Sequence, residues 1–159
     1  VFNTDRMVSQ YTEGFYMPAN ERSRTLAADS FASARRLAEW RRRMEEQWPQ
    51  VAVEAVEAAT DRDLVVNSAL PVRAVLRLGS LRPDDLVVQL YHGTLDAQGN
   101  MVRGQTITME DQDHNGDGVY TYSGAIPCRT SGRHGFAVRI LPNHEDLADP
   151  FLPALIRWG

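Results

Sequence analysis

Residues 111–118 read DQDHNGDG. Oxygen-bearing side chains at the first, third and fifth positions, followed by glycine, are how a calcium-binding EF-hand loop begins. The second half of the pattern fails. Counted from Asp111, the twelfth position is Tyr122, where the loop needs a bidentate glutamate. The flanks MVRGQTITM and GVYTYSG read as strands and not as helices. The stretch is therefore expected to be a polar hairpin loop whose Asp, Asn and Gly residues supply turn geometry. At most, Asp111, Asp113 and Asn115 offer a weak cation site.

Cys128 and His134 have the residue types of a nucleophile and its base, but the sequence around them supplies no orienting third group and no oxyanion hole. A structural cysteine is expected. His92, His114, His134 and His144 lack metal-ligand spacing, and no second cysteine accompanies them, so no zinc site is expected. Arg35, Arg36 and the run Arg41–Arg43 carry charge that suits phosphate. Asp29, Glu39, Glu45 and Glu46 share the same segment at ion-pair spacing, which makes a solvated or interface face the better reading. Trp40, Trp48, Tyr91 and Trp158 have rings on which sugars stack, although such residues more often fill cores and interfaces. No catalytic or cofactor-binding constellation emerges.

Composition narrows the chemistry further. The net charge of −4 speaks against a dedicated nucleic-acid binder. All the basic residues are arginines, so no Schiff base to pyridoxal phosphate can form on this chain and no P-loop lysine exists. One cysteine permits no internal disulfide and fits a reducing compartment. No apolar run approaches the roughly 18 residues of a membrane helix, and no signal-peptide pattern stands at the start. A cytoplasmic location without membrane contact is expected. The first residue is Val1, inside a segment with helical character, which suggests a fragment of a longer protein.

The elements change character near residue 49. Before it, Thr4 or Asp5 can cap a helix carrying Met7, Val8, Tyr11, Phe15 and Tyr16 at three- and four-residue spacing. Pro18 should end it. A second helix is expected from about Asn20 to Gln47, with Leu26, Ser30, Ala34, Leu37, Arg41, Met44 and Trp48 on one stripe that its two polar members leave imperfect. Beyond Pro49 the period becomes two. Strands are expected at 51–58, 70–78, 86–93, 101–109, 118–126 and 132–141, separated by Asp-, Asn-, Gly- and Pro-bearing turns. The first of these is the least regular, since alanine and glutamate are poor strand formers. The tail, 141–158, holds three prolines and should run extended over the surface, anchored by Leu155, Ile156 and Trp158. The fold class is α+β, mainly β: an N-terminal arm of two helices (1–49) followed by an antiparallel immunoglobulin-like β-sandwich (50–159).

FNTDRMVSQYTEGFYMPA (2–19) resembles the C-terminal end of the catalytic core in α-glucan (glycogen/maltodextrin) phosphorylases, where a Phe-Ser/Asn-Ser/Thr-Asp-Arg segment opens a helix. Phe2, Asn3, Thr4, Asp5 and Arg6 carry that match, followed by Gln10 and Tyr11. RRRMEEQWPQV (41–51), LYHGTLDAQG (90–99), IPCRTSGRHGFAVRILPNHEDLADP (126–150) and LIRW (155–158) are similar, in the same order, to a bacterial subgroup that extends past this helix. The resemblance implies a parent enzyme that binds pyridoxal phosphate on a lysine and releases glucose 1-phosphate from α-1,4-glucan. It implies no catalytic, cofactor or metal residue in this chain, because the family's cofactor lysine lies upstream. Residues 3–48 would then be terminal helices packed on the catalytic domains, and the sandwich an accessory domain for docking, subunit contact or glucan positioning. The expected partners are the catalytic domains of the same polypeptide and α-glucan, with no nucleic acid and no membrane, and a homodimer of the fragment through uncovered apolar surface is a further expectation. The alternative is a stand-alone β-sandwich that binds a glycan or a protein, which calls for coplanar exposed aromatics on one face.

Overall fold

The computed structural model describes residues 4–59, 64–114 and 116–159. The chain divides into two compact units, Val1–Arg42 and Arg43–Gly159.

The first unit is helical. Helix α1 spans Thr4–Tyr11, a π turn follows at Thr12–Tyr16, and α2 spans Met17–Gln47. Pro18 does not end the first helix, contrary to expectation. The Met17 N–H bonds the Thr12 carbonyl across the wider π turn. Such a turn relieves the clash between a proline ring and the carbonyl four residues earlier. The interruption comes later. Asp29, Ser30 and Phe31 adopt left-handed backbone inside α2, with φ of 48°, 56° and 65°. The expected uninterrupted second helix is therefore broken at residues 28–31. No residue of α1 is buried, and Met7, Val8, Tyr11, Phe15 and Tyr16 all present their apolar side chains to solvent.

The second unit begins with the last turn of α2, which buries Met44, and a 3-10 turn at Trp48–Gln50 that buries Trp48. Among the described residues eight strands follow: β1 Ala52–Ala58, β2 Ser68–Arg77, β3 Leu86–Leu95, β4 Met101–Thr108, β5 Glu110–His114, β6 Val119–Cys128, β7 His134–Pro142 and β8 Arg157–Trp158. They form two antiparallel sheets, in the orders β1-β2-β6-β5 and β4-β3-β7-β8. Alternation explains the core. On β2 the buried residues are Leu70, Val72, Ala74 and Leu76, and on β3 they are Leu86, Val88, Leu90 and His92, with the adjacent Gly93 buried as well. The two inner faces meet closely: a Cβ on Gly124 of β6 would lie 2.9 Å from Leu90 Cδ1 of β3.

Two corrections concern the loops. The stretch expected as a hairpin loop from 111 is a strand as far as His114, so the turn into β6 is confined to the residues beyond it. Every side chain of β5 is exposed. It pairs only with β6, at a sheet edge, where a charged strand resists pairing with other chains. The tail is not extended. Backbone bonds from Leu147 to His144, Leu152 to Asp149 and Ala154 to Phe151 fold it into successive turns before β8. Its anchors also differ: Pro153 is buried, Leu155 is half-buried, and Ile156 and Trp158 are exposed.

Candidate functional site

The outer face of the β4-β3-β7-β8 sheet carries a row of aligned side chains. Register places Thr108 opposite Gln89, Gln89 opposite Arg139, and Arg139 opposite Trp158. Arg139 donates to Gln89 Oε1 from Nε at 3.2 Å and from Nη2 at 2.6 Å. Its guanidinium carbon lies 5.4 Å from the Tyr91 ring centre, 5.3 Å from that of Phe151 and 5.4 Å from that of Trp158. These are cation–π distances to three rings at once. Tyr91 is held from below because β4 has Gly104 there. A Cβ on Gly104 would fall 2.1 Å from the Tyr91 ring. Tyr91 meets Trp158 edge-on, with centroids 5.7 Å apart and planes 72° apart. The two rings therefore do not form the coplanar platform that a stand-alone glycan module calls for. Trp158 is 47% and Phe151 51% exposed.

The other residues singled out in the sequence fall elsewhere. Trp40 and Trp48 are 6% and 5% exposed, so neither offers a ring face to a ligand. Asp111 pairs with Tyr122 and Asp113 with Thr121 across a bulge. Adjacent residues of β6 point to opposite sheet faces, so the two aspartates do as well. Asn115 lies outside the described residues, as do Phe2 and Asn3. Among the described residues, no group of three or more His, Cys, Asp or Glu side chains could hold a metal. Arg43 forms an ion pair with the buried Asp85, whose carboxylate also accepts from the Arg82 N–H at 3.0 Å. That bond ties the end of α2 to the turn before β3. Arg35 and Arg36 donate to Ser30 and Ser33 on their own helix.

Cys128, His134 and His92 line one cavity of about 480 Å³ at the end of the sheets, together with Leu70, Ile126 and Phe136. The His134 Nε2 is 3.0 Å from the Thr130 carbonyl oxygen, and the Cys128 Sγ donates to the Ile126 carbonyl at 3.7 Å. The Thr130 hydroxyl also lies 3.4 Å from the same His134 nitrogen. Burial, and secondarily the neighbouring His134, hold the His92 imidazole below its usual range. The first sheet carries Glu57, Arg73, Ser123 and Glu110 in register across its four strands. They line an open groove of about 910 Å³ that contains no aromatic ring.

Neither surface assembles a nucleophile, base and oxyanion donors, so relatives are the better guide to the family. The profile of the glycogen phosphorylase C-terminal domain matches residues 48–159. The chain belongs to that family. It is 36% identical over 144 residues to the glycogen phosphorylase of Mycobacterium tuberculosis, which covers 90% of this chain and 17% of the relative. The maltodextrin phosphorylase of Thermococcus litoralis is 29% identical over 166 residues, covering 99% of this chain and 18% of the relative. The chain thus spans less than a fifth of the length of these relatives. A DNA-bound alkylpurine DNA glycosylase, AlkC of Pseudomonas fluorescens, overlaps 59% of the chain at a TM-score of 0.40 and 13% identity, too distant to carry an argument.

The decisive cluster was only partly visible in the sequence. Tyr91 and Trp158 stood out as aromatics, but Gln89, Arg139 and Phe151 did not. The available signal was position: Gln89 and Arg139 are the polar members on the outward side of the otherwise apolar runs LVVQLYHG and FAVRIL.

Proposed function

We propose that this chain is the non-catalytic C-terminal portion of a cytoplasmic α-1,4-glucan phosphorylase. The carrying observation is the family match over 48–159 in a chain that spans only about a sixth of its relatives. Pyridoxal phosphate, the cofactor of such a parent, does not fit this chain, since no lysine is present to hold it. No step of the reaction is therefore assigned to these residues. The sheet orders β1-β2-β6-β5 and β4-β3-β7-β8 support an immunoglobulin-like sandwich, being the arrangement of a four-strand sheet facing a three-strand sheet extended by one strand. The exposed stripe of Met7, Val8, Tyr11, Phe15 and Tyr16 supports a docking role for the helices against the catalytic domains that precede them in the same polypeptide.

Incubating the chain with maltoheptaose, phosphate and added pyridoxal phosphate tests the reading. The expected yield of glucose 1-phosphate is nil, and measurable production would overturn the non-catalytic assignment.

A further inference from the structure

The geometry points to an α-glucan contact on the outer face of the β4-β3-β7-β8 sheet, where one glucose unit stacks on Trp158 and Phe151 and hydrogen-bonds to Arg139. This inference rests on the reading of the chain as part of a glucan phosphorylase and adds a place where substrate is held away from the reacting bond. A pyranose offers an apolar C–H face and a rim of hydroxyls, so its binding site needs an exposed ring beside fixed planar donors. Both are present. Trp158 and Phe151 keep about half of their surface open to solvent, and their ring centres lie 5.4 and 5.3 Å from the Arg139 guanidinium carbon.

Arg139 is already in place. Its Nε and Nη2 are spent on Gln89, three rings surround it, and Nη1 has no hydrogen-bond partner among the described residues. A donor held this way loses little freedom when a hydroxyl arrives. Thr106 and Thr108, opposite Tyr91 and Gln89, place two further hydroxyls on the same face. No carboxylate stands in the row Thr108–Gln89–Arg139–Trp158, so the surface suits a neutral polyhydroxyl ligand and not a cation. Tyr91 stands at 72° to Trp158 and so does not extend the Trp158 plane, which restricts the contact to about one sugar. An interaction of this size falls in the millimolar range, with a Kd of about 1 mM.

Intrinsic fluorescence reads the contact directly, because Trp158 is the one tryptophan open to solvent and Trp40 and Trp48 are shielded. Titrating maltoheptaose into the chain should give a saturable change with a midpoint near that Kd. Phe151→Ala leaves the reporter in place and should weaken binding about fivefold. Arg139→Lys keeps the charge but loses the fork, and should weaken it as well while circular dichroism stays that of the parent chain. A flat titration, an unchanged midpoint in both variants, or an equal response to cellohexaose or to inorganic phosphate overturns the proposal. A flat titration would leave the phosphorylase reading standing, since that rests on the family match and on the glucose 1-phosphate assay.

Discussion

Gly118 shows how much can hang on a single hydrogen atom. It opens β6 with a φ of +73°, and its carbonyl accepts the Leu78 N–H at 2.8 Å. A Cβ there would lie 2.4 Å from the Gly79 carbonyl oxygen, a rigid backbone atom that cannot move aside. Gly118→Ala is therefore expected to destabilise the fold by about 2–3 kcal/mol, combining a left-handed backbone penalty with the displaced contact. Chemical denaturation would read the loss, and a change below about 0.5 kcal/mol would show that the two turns separate freely. His92 supplies the other residue-scale test. Its imidazole titrates below 6.5 in the fold, so just below that value the unfolded chain binds more protons than the folded one. Stability from this group is complete above 6.5 and falls as the pH drops toward the lowered folded value. Melting temperature should thus decline as the pH falls below about 6.5, and decline less in His92→Gln. The glycine turn was readable from its Asp/Asn/Gly composition. The alternation of LVVQLYHG places His92 on the same side as Leu86, Val88 and Leu90, but the neighbouring His134 that adds to its shift comes from a distant strand and was not readable.

Strands were legible wherever one face is apolar. LPVRAVLRL and LVVQLYHG alternate cleanly, and both are strands with the alternate residues buried. β5 gave no such signal, since all of its side chains meet solvent and its strand conformation comes from pairing with β6. Local pattern cannot report a non-local bond of that kind. Pro18 misled for a related reason. A proline normally closes a helix, but a π turn immediately before it lets the helix pass. The element-scale consequence concerns calcium. A bound cation needs several oxygens converging on one point, whereas the β5 bulge sends Asp111 and Asp113 to opposite faces of the sheet. Adding calcium at about 1 mM should leave the melting temperature where it stands in chelator, because a site occupied in the native state would raise it by ligand linkage. A rise of several degrees would mean that the aspartates reorient around the ion.

At the scale of the whole molecule, the helical unit presents a surface that a free-standing protein would not ordinarily leave bare. Tyr11, Phe15 and Tyr16 are 55%, 66% and 70% exposed, and Met7 and Val8 extend the same patch. Tyr11 and Phe15 contact each other, with ring centroids 5.5 Å apart, and nothing else among the described residues covers them. Contiguous apolar area of this sort marks an interface. In a parent phosphorylase the preceding domains would supply the partner. In the chain by itself the same patch should drive association with a second copy. The expected behaviour is a sedimentation or light-scattering mass that rises with concentration. Replacing Tyr11 and Phe15 together by aspartate should restore a monomer, because the cost of burying two carboxylates exceeds the gain from the remaining apolar contacts. As both positions face solvent, the melting temperature of the dilute chain should stay within about 2 °C. A large fall in melting temperature would show instead that these rings belong to the fold of this chain. A mass that stays monomeric at every concentration in the unsubstituted chain would remove the stripe as a docking surface.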